Sequence, residues 1–346
     1  MSHYKQPGRK VCNQEGHHMK FSTPLILSAL TLAVGTAFAA DAPIIGLITK
    51  TETNPFFVKM KEGAKAEAEK GGGKLMSAAG KIDGDTAGQI TALENMTSAG
   101  AKTILITSAG DAIIPTVKKV QAKGVQVIAL DSPFDGADAL FATDNYKAGI
   151  LIGEYAKAAM AGKPAKIAML DLFPGHPVGA QRHNGFMKGF GLAANDAKSN
   201  ELSTAPEIVC ANDTNGDRAK GQTAMENCLQ KDPGINVVYT INEPAAAGAY
   251  NALKKAGKEK GVLILSVDGG CEGVKNVAAG VITATSQQYP LKMAEMGVAA
   301  GLDYAKTGKK ATGYVDTGVT LIAKKAIAGV DSKDTKVGLA LCWGKK

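Results

Sequence analysis

The chain has 346 residues, of which 45% are hydrophobic and 5% are aromatic, and its formal net charge is +8. This length is sufficient for two lobes that each bury a core, and the composition excludes a disordered or fibrous protein. The lysines are scattered along the chain, as at Lys65, Lys118, Lys254 and Lys292. Because scattered lysines are typical of solvated helix faces, we predict no nucleic-acid partner.

Residues 19–40 have the pattern of a secretory signal peptide, with Lys20, an apolar run at 25–34 and the small-x-small site Ala37-Phe38-Ala39. The apolar run is too short to span a membrane. No cysteine stands at the cleavage point to carry a lipid anchor. We therefore expect residues 1–39 to be a signal peptide with an upstream extension, and the mature protein to be soluble and periplasmic.

The next stretch predicts a buried strand at 44–49, a polar turn and a helix that begins at Pro55. Pro55 fits the first helical position, where its missing N–H costs nothing, and Asn54 fits the N-cap. Phe56 and Phe57 then lie beyond the carboxyl end of a strand, which is where open α/β sheets bind ligands. The alternative is that both rings pack in the core under the sheet.

The same strand and helix pattern continues along the chain. Apolar strands are predicted at 74–78, 103–107, 125–130 and 139–143, with helices at 86–99 and 112–123 between them. A second, similar unit follows, with helices at 147–161, 179–192, 217–230 and 244–256 and strands at 165–170, 207–210, 236–240 and 262–267. A strand at 281–285, a helix at 290–307 and a short strand at 319–322 precede a polar tail. The pattern predicts an α/β fold with two Rossmann-like lobes built on parallel sheets.

Polar side chains recur where these strands end. Each of four predicted strands is followed by one of them: Asp131, Asn242, Asp268 and Gln288. Arg182 lies in QRHNGF, near the start of a helix that follows the strand ending at Leu170. Asp or Asn after a strand also forms turns or caps helices, and Arg182 also fits a surface ion pair. All five positions fall on the same edge of the two predicted sheets, which favours a shared binding site.

The segment ITKTETNPFF resembles the opening of periplasmic sugar-binding proteins of the ribose/galactose type, and the resemblance extends over about residues 42–325. It implies the type I periplasmic binding protein fold, in which two lobes are joined by a three-segment hinge. We place the crossings near Asp144, Tyr289 and Asp316. The N-terminal lobe would comprise 40–144 plus 289–316, and the C-terminal lobe 145–288 plus 317–346.

The resemblance also implies a function. Asn54, Asp131, Arg182, Asn242, Asp268 and Gln288 would hydrogen-bond sugar hydroxyls, and Phe56 and Phe57 would supply a flat apolar surface for the sugar ring. The protein would be a monomeric receptor that delivers a monosaccharide to an inner-membrane ABC permease. We predict no enzymatic activity, no cofactor and no metal. The alternative is an exported sugar-processing α/β enzyme in which Asp131 or Asp268 acts as acid or base.

The identity of the sugar depends on smaller differences. The ribose-binding branch has Arg after the aspartate that matches Asp131, whereas this chain has Ser132. It also has a third Phe in the segment that reads ANDTNGDR here, which contains no aromatic residue. TNPFF, DGGC and TATSQQYP together are most similar to the fructose-binding branch. Fructose is therefore our first expectation, followed by ribose or another hexose.

Four cysteines remain after the signal peptide: Cys210, Cys228, Cys271 and Cys342. In an oxidising compartment they allow three pairings, and separate free thiols are the alternative. The Asp268-Gly269-Gly270-Cys271 turn and the terminal Cys342-Trp343 resemble a subgroup of sugar binders. That resemblance favours Cys271–Cys342 together with Cys210–Cys228.

Two motifs with other meanings fail in their context. Gly189-Phe190-Gly191 with Ala194 matches G-x-G-x-x-A, but it ends a predicted helix instead of following a strand, so a dinucleotide site is not predicted. Asp213, Asn215 and Asp217 have the spacing of a calcium loop. Gly221 and Ala224 occupy its ninth and twelfth positions and have no side-chain oxygen, so a calcium site is not predicted.

Overall fold

The computed structural model describes residues 42–344 and contains two six-stranded sheets. The predicted signal peptide and upstream extension, residues 1–39, lie outside the described residues. None of the helices within 42–344 is both long enough and apolar enough to cross a bilayer. Each sheet carries helices on both faces, and we refer to a sheet with its helices as a lobe.

The first lobe is built on an all-parallel sheet with the order β11-β5-β4-β3-β1-β2. Its strands are β1 (Ile44–Thr49), β2 (Lys74–Ala79), β3 (Thr103–Ile106), β4 (Gln126–Leu130), β5 (Ala139–Ala142) and β11 (Gly313–Asp316). Its helices are α1 (Pro55–Lys70), α2 (Thr86–Ser98), α3 (Ile114–Ala122) and α9 (Pro290–Thr307), and a 3-10 turn at Asp111–Ile113 precedes α3.

The second lobe repeats this arrangement in the order β12-β10-β9-β8-β6-β7, with only β12 antiparallel to its neighbour. Its strands are β6 (Ile167–Asp171), β7 (Ile208–Asp213), β8 (Val237–Thr240), β9 (Leu263–Asp268), β10 (Ala284–Gln287) and β12 (Thr320–Ala323). Its helices are α4 (Asn145–Met160), α5 (Pro177–Phe190), α6 (Arg218–Lys231), α7 (Glu243–Lys255), α8 (Cys271–Ala279) and α10 (Thr335–Leu341).

The central strands are buried along their whole length, since β3, β4 and β8 have no exposed residue. Apolar clusters lie on both faces of each sheet, as expected for parallel sheets covered by helices. The predicted α/β class is therefore confirmed.

Close packing of α4 against α5 fixes the position of α5 on the second lobe. A Cβ at Gly149 or Gly185 would overlap the backbone of the facing helix, so only glycine permits this approach. Because α5 carries Arg182, this contact sets how far the guanidinium reaches beyond the sheet edge.

The chain passes between the sheets three times, after β5, after β10 and after β11. The connections contact one another. Thr143 Oγ1 donates to Gly318 O at 3.2 Å, Asp144 N donates to Asp316 Oδ1 at 3.3 Å, and Tyr289 OH lies 2.8 Å from Thr320 Oγ1. The three connections thus form one bundle.

Three elements differ from the sequence-based expectation. Helix α8 follows the predicted Asp268–Cys271 turn, strand β11 extends the first sheet, and α10 lies in what was expected to be a polar tail. All three are short and depend on tertiary contacts, which local patterns do not record. In α10, Gly338 packs against Val274 and Ile322.

Both favoured disulfides are confirmed. Cys210–Cys228 joins β7 to α6, and Cys271–Cys342 joins the start of α8 to the residue that follows α10. The second disulfide holds the end of the chain against the second lobe.

Candidate functional site

A cleft of about 830 Å³ lies at the carboxyl ends of strands from both sheets. The first lobe contributes residues of the β1–α1 and β2–α2 connections, among them Asn54, Phe57 and Asp83. The second lobe contributes Asn215–Arg218, Glu243, Asp268 and Gly270–Gly273, and the chain end adds Trp343. This edge is the one at which open α/β sheets bind ligands.

Asn54 lines this cleft and caps α1. Its Oδ1 accepts a hydrogen bond from Phe56 N at 3.0 Å, and Pro55 occupies the first helical turn, as predicted. The cap fixes the direction of α1 and therefore the position of the two aromatic residues that follow.

The two phenylalanines have different surroundings. Both rings are buried in the apolar core of the first lobe, but Phe57 also lines the cleft, whereas Phe56 lies behind the cleft wall. Phe56 contacts Phe57 and Trp343 edge to face, with 5.3 Å between ring centroids in each pair. Phe56 thus takes the core position that we considered as the alternative, and it supports two rings that reach the cleft.

Asp268, the last residue of β9, lies in a cluster of polar side chains. Its Oδ1 accepts a hydrogen bond from Gln288 Nε2 at 2.8 Å, and Arg182 Nη1 is 3.7 Å away. All three residues are at most 4% exposed. The structure thus brings together three of the residues predicted from the sequence.

Arg182 is held by two further bonds. Its Nε donates to Asn145 Oδ1 at 2.8 Å, and its Nη1 donates to Ile241 O at 2.9 Å. Because Arg182 is buried and makes these bonds, the alternative of a surface ion pair is wrong. Fixed in this way, the guanidinium is a preorganised donor beside Asp268.

Asp131 follows β4 and is also buried. Its Oδ2 accepts a hydrogen bond from Ser132 Oγ at 2.9 Å. Among residues 42–344, no donor reaches Asp131 Oδ1 or Gln288 Oε1, although both atoms are buried. An unpaired buried acceptor costs about 1–3 kcal/mol, so that a ligand that donates to these oxygens would gain from the contact.

Asp131 and Asp268 also share a strained backbone. Their φ angles are 61° and 139°, in the region that L-residues other than glycine avoid. Such strain costs about 1–3 kcal/mol and clusters at binding sites and active sites. An unfavourable backbone conformation at the end of a strand thus sets the direction in which each carboxylate points.

Asn242 lies behind the cleft wall. Its Oδ1 accepts from Ala245 N at 3.1 Å and caps α7, and its Nδ2 donates to Gly216 O at 3.0 Å. Gly216 lines the cleft, with φ of 65°. Asn242 therefore has the capping role that we considered as the alternative, and it also positions the loop before α6.

The side chain of Lys50 connects the lobes. Lys50 Nζ of the first lobe lies 3.0 Å from His176 Nε2 of the second and 3.6 Å from Asp83 Oδ2. Burial and the charge of Lys50 lower the pKa of His176 well below its usual range, whereas burial raises the pKa of Asp83. His176 and Asp83 were not predicted as site residues from the sequence. Lys50 directly follows β1, so the strand-end pattern places it at this edge of the sheet.

Glu243 is a further buried carboxylate that the sequence reading missed. It accepts hydrogen bonds from Gly269 N at 2.8 Å, Gly270 N at 3.0 Å and Thr285 Oγ1 at 2.9 Å. Burial, with the nearby charge of Asp268, raises the pKa of Glu243 well above its usual range. Burial likewise raises the pKa of Asp268 to about 6, although Arg182 opposes this shift.

The arrangement offers carboxylates, amides and a guanidinium beside aromatic rings. These groups can exchange hydrogen bonds with a ligand that has many hydroxyls. Within residues 42–344, no cluster of three or more His, Cys, Asp or Glu side chains could hold a metal ion.

Comparison with known proteins identifies the family. A family model for the periplasmic binding protein domain matches residues 45–310. The ribose import binding protein RbsB of Escherichia coli (strain K12) is 30% identical over 311 residues, covering 89% of this chain and 100% of that protein. The D-allose-binding periplasmic protein of the same organism is 28% identical over 285 residues, covering 79% of this chain and 88% of that protein.

A solved structure shares the fold. The ABC transporter periplasmic solute binding protein from Actinobacillus succinogenes 130z with bound D-allose has a TM-score of 0.72 and 25% identity, covering 82% of this chain and 98% of that chain. The predicted two-lobed fold is thus confirmed. The chain belongs to the periplasmic binding protein family, and its relatives are transport receptors, not enzymes.

Proposed function

We propose that this protein is the periplasmic receptor of an ABC importer and that it binds a monosaccharide in the cleft between its lobes. The observation that carries the proposal is the buried cluster of Arg182, Asp268 and Gln288, together with the unpaired oxygen of Asp131. Such a cluster is costly unless a ligand completes its hydrogen bonds.

A monosaccharide fits this chemistry. Each sugar hydroxyl both donates and accepts, so charged and amide groups can bind it in pairs, while the C–H faces of the ring pack on aromatic carbon. Both kinds of group line the cleft, since Asp268 supplies a carboxylate and Phe57 supplies aromatic carbon. The names of the relatives, which refer to ribose and D-allose, support the same ligand class.

Fructose remains the first candidate, on the resemblance of TNPFF, DGGC and TATSQQYP to the fructose-binding branch. Ribose and D-allose are the next candidates, because relatives carry these names. Ser132, which donates to Asp131, stands where the ribose-binding branch has Arg. We infer that this difference changes the pattern of hydroxyls that the site accepts.

We further propose that the lobes, residues 40–144 plus 289–316 and residues 145–288 plus 317–346, close on the sugar by bending at the three connections. Sheet membership and the bonds among the connections support this division. The closed monomer would then deliver the sugar to an inner-membrane permease.

Calorimetry with fructose, ribose, D-allose, mannose, galactose and glucose tests the proposal. We expect at least one sugar to bind with a dissociation constant of about 1 μM or less, equivalent to about −8 kcal/mol. Sorbitol, which has hydroxyls but no ring, is the control, and we expect it not to bind. Absence of binding across the panel would contradict the proposed function.

Solution scattering tests the closure separately. We expect the radius of gyration to decrease when the sugar identified by calorimetry is added, because the lobes approach each other. A sugar that binds without any decrease would contradict closure and would leave sugar binding intact.

A further inference from the structure

Trp343 occupies an unusual place in this molecule. It is the only tryptophan in the chain, and it follows Cys342 beyond the last helix. Nevertheless it is only 4% exposed, and it lines the cleft. A residue that lies outside helices and strands needs specific contacts to hold it in one place.

Four contacts hold Trp343. Its Nε1 donates to Gln288 O at 2.9 Å, and its backbone O accepts from Cys271 N at 2.9 Å. The indole contacts Phe56 of the first lobe edge to face. The neighbouring Cys342 is bonded to Cys271 in the second lobe. Trp343 therefore touches both lobes and the connection that follows β10.

Among the cleft-lining residues of the described range 42–344, only Phe57 and Trp343 are aromatic. The loop at 211–218 has no aromatic residue, and a Cβ at Gly216 would come within 2.6 Å of Asn242 Nδ2. This loop therefore has no room for a side chain at Gly216. Gly270 also lines the cleft, and it lies against the six-membered ring of the indole. Because glycine has no side chain, no Cβ at this position stands between the indole and the cleft.

We propose that Trp343 is a ligand-contacting residue and that the Cys271–Cys342 disulfide positions it. This inference rests on the proposed function, since the ligand is the monosaccharide. The indole N–H already donates to Gln288 O. A ligand in the cleft would therefore contact the aromatic carbon atoms of the indole and not its N–H. Aromatic carbon suits the C–H face of a sugar ring.

The disulfide is central to this positioning. Helix α10 has seven residues, which is too short for a helix to be stable without tertiary support. The Cys271–Cys342 bond spans 71 residues and ties the chain end directly to α8, beside the cleft. Without this bond, only non-covalent contacts would keep the indole in the cleft wall.

Fluorescence of the single tryptophan tests the contact directly. We expect the sugar that binds in calorimetry to lower the acrylamide quenching constant of Trp343, because the sugar covers the indole. Binding in calorimetry without any change in emission or quenching would overturn this inference and leave the proposed function intact. No binding by any sugar would overturn both.

Substitution separates ring contact from lobe closure. W343L keeps apolar volume but lacks the flat ring, and we expect it to weaken binding about tenfold or more, whereas W343F stays within about threefold. L341A is the matched control, because Leu341 lies on α10, is 51% exposed and is outside the cleft lining. Equal affinities of W343L and W343F would overturn the contact.

The two disulfides offer a matched test of positioning. We expect C271S/C342S to raise the quenching constant of Trp343 and to weaken sugar binding about tenfold. C210S/C228S removes the disulfide between β7 and α6 and should leave both values as in the unmodified protein. Thermal unfolding of both variants confirms that they are folded at the assay temperature. The same change in both variants, or none in C271S/C342S, would overturn the positioning role.

Discussion

The two lobes place a carboxylate at the same point of their sheets but surround it differently. Strands β4 and β9 are both third in sheet order, and Asp131 and Asp268 stand at their carboxyl ends with positive φ. The Asp268 carboxylate accepts a hydrogen bond from Gln288 and lies beside Arg182, whereas within residues 42–344 the Asp131 carboxylate accepts one only from Ser132. In the sugar site that we propose, the second lobe would therefore hold a preassembled half, and the first lobe would add a less constrained acceptor.

The largest expected effect is at Asp268. Replacing Asp268 with Ala removes the ligand's acceptor and leaves Gln288 Nε2 without its partner. We expect a loss of about 2–4 kcal/mol in the free energy of sugar binding, measured by calorimetry. D268N, which keeps the shape and one acceptor oxygen, should lose less. Unchanged affinity in D268A would show that the preassembled half does not bind the sugar.

A smaller effect is expected at Asp131. D131A should weaken binding by about 1–2 kcal/mol, because one neutral or charged hydrogen bond to the sugar is lost. The free energy of unfolding of the ligand-free protein should change by less than about 1 kcal/mol, since only Ser132 Oγ loses a partner. Urea unfolding and calorimetry give the two values. A loss of affinity larger than in D268A would reverse the proposed difference between the lobes.

Much of this arrangement follows from sequence rules. Near-continuous apolar strands predict parallel sheets, and parallel strands end at one edge, so that Asp131 and Asp268 could be assigned to a common surface before any coordinates. The Asn54-Pro55 cap likewise gave the start of α1. These predictions succeed because the patterns are local. An apolar strand or a helix cap depends on residues within one strand or one helix turn.

Other parts could not be predicted because they depend on contacts between distant segments. Adjacent residues on a helix point about 100° apart, so sequence alone does not tell which of Phe56 and Phe57 faces the cleft. Lys50 and His176 meet across 126 residues and two lobes. Trp343 reaches the cleft through α10, whose short sequence gives little helical signal.

The smallest expected effect is the pH dependence of the free energy of unfolding. D268N separates the contribution of Asp268 from those of its neighbours. Because burial raises the pKa of Asp268 to about 6 from the ordinary 3.8, the folded protein takes up a proton that the unfolded chain does not. In the ligand-free protein, the free energy of unfolding should therefore increase by about 1 kcal/mol as the pH falls from about 7 to about 5. D268N should lack this part of the pH dependence.

Sugar affinity should change in the opposite direction with pH, because the sugar binds the ionised carboxylate and protonation removes an acceptor. Glu243 and Asp131 also lie near Asp268, and D268N separates the contribution of Asp268 from theirs. Calorimetry at several pH values, compared with urea unfolding of the ligand-free protein, gives both slopes. If sugar affinity were unchanged or rose as the pH fell from about 7 to about 5, the ionised carboxylate of Asp268 could not be the group that accepts from the sugar.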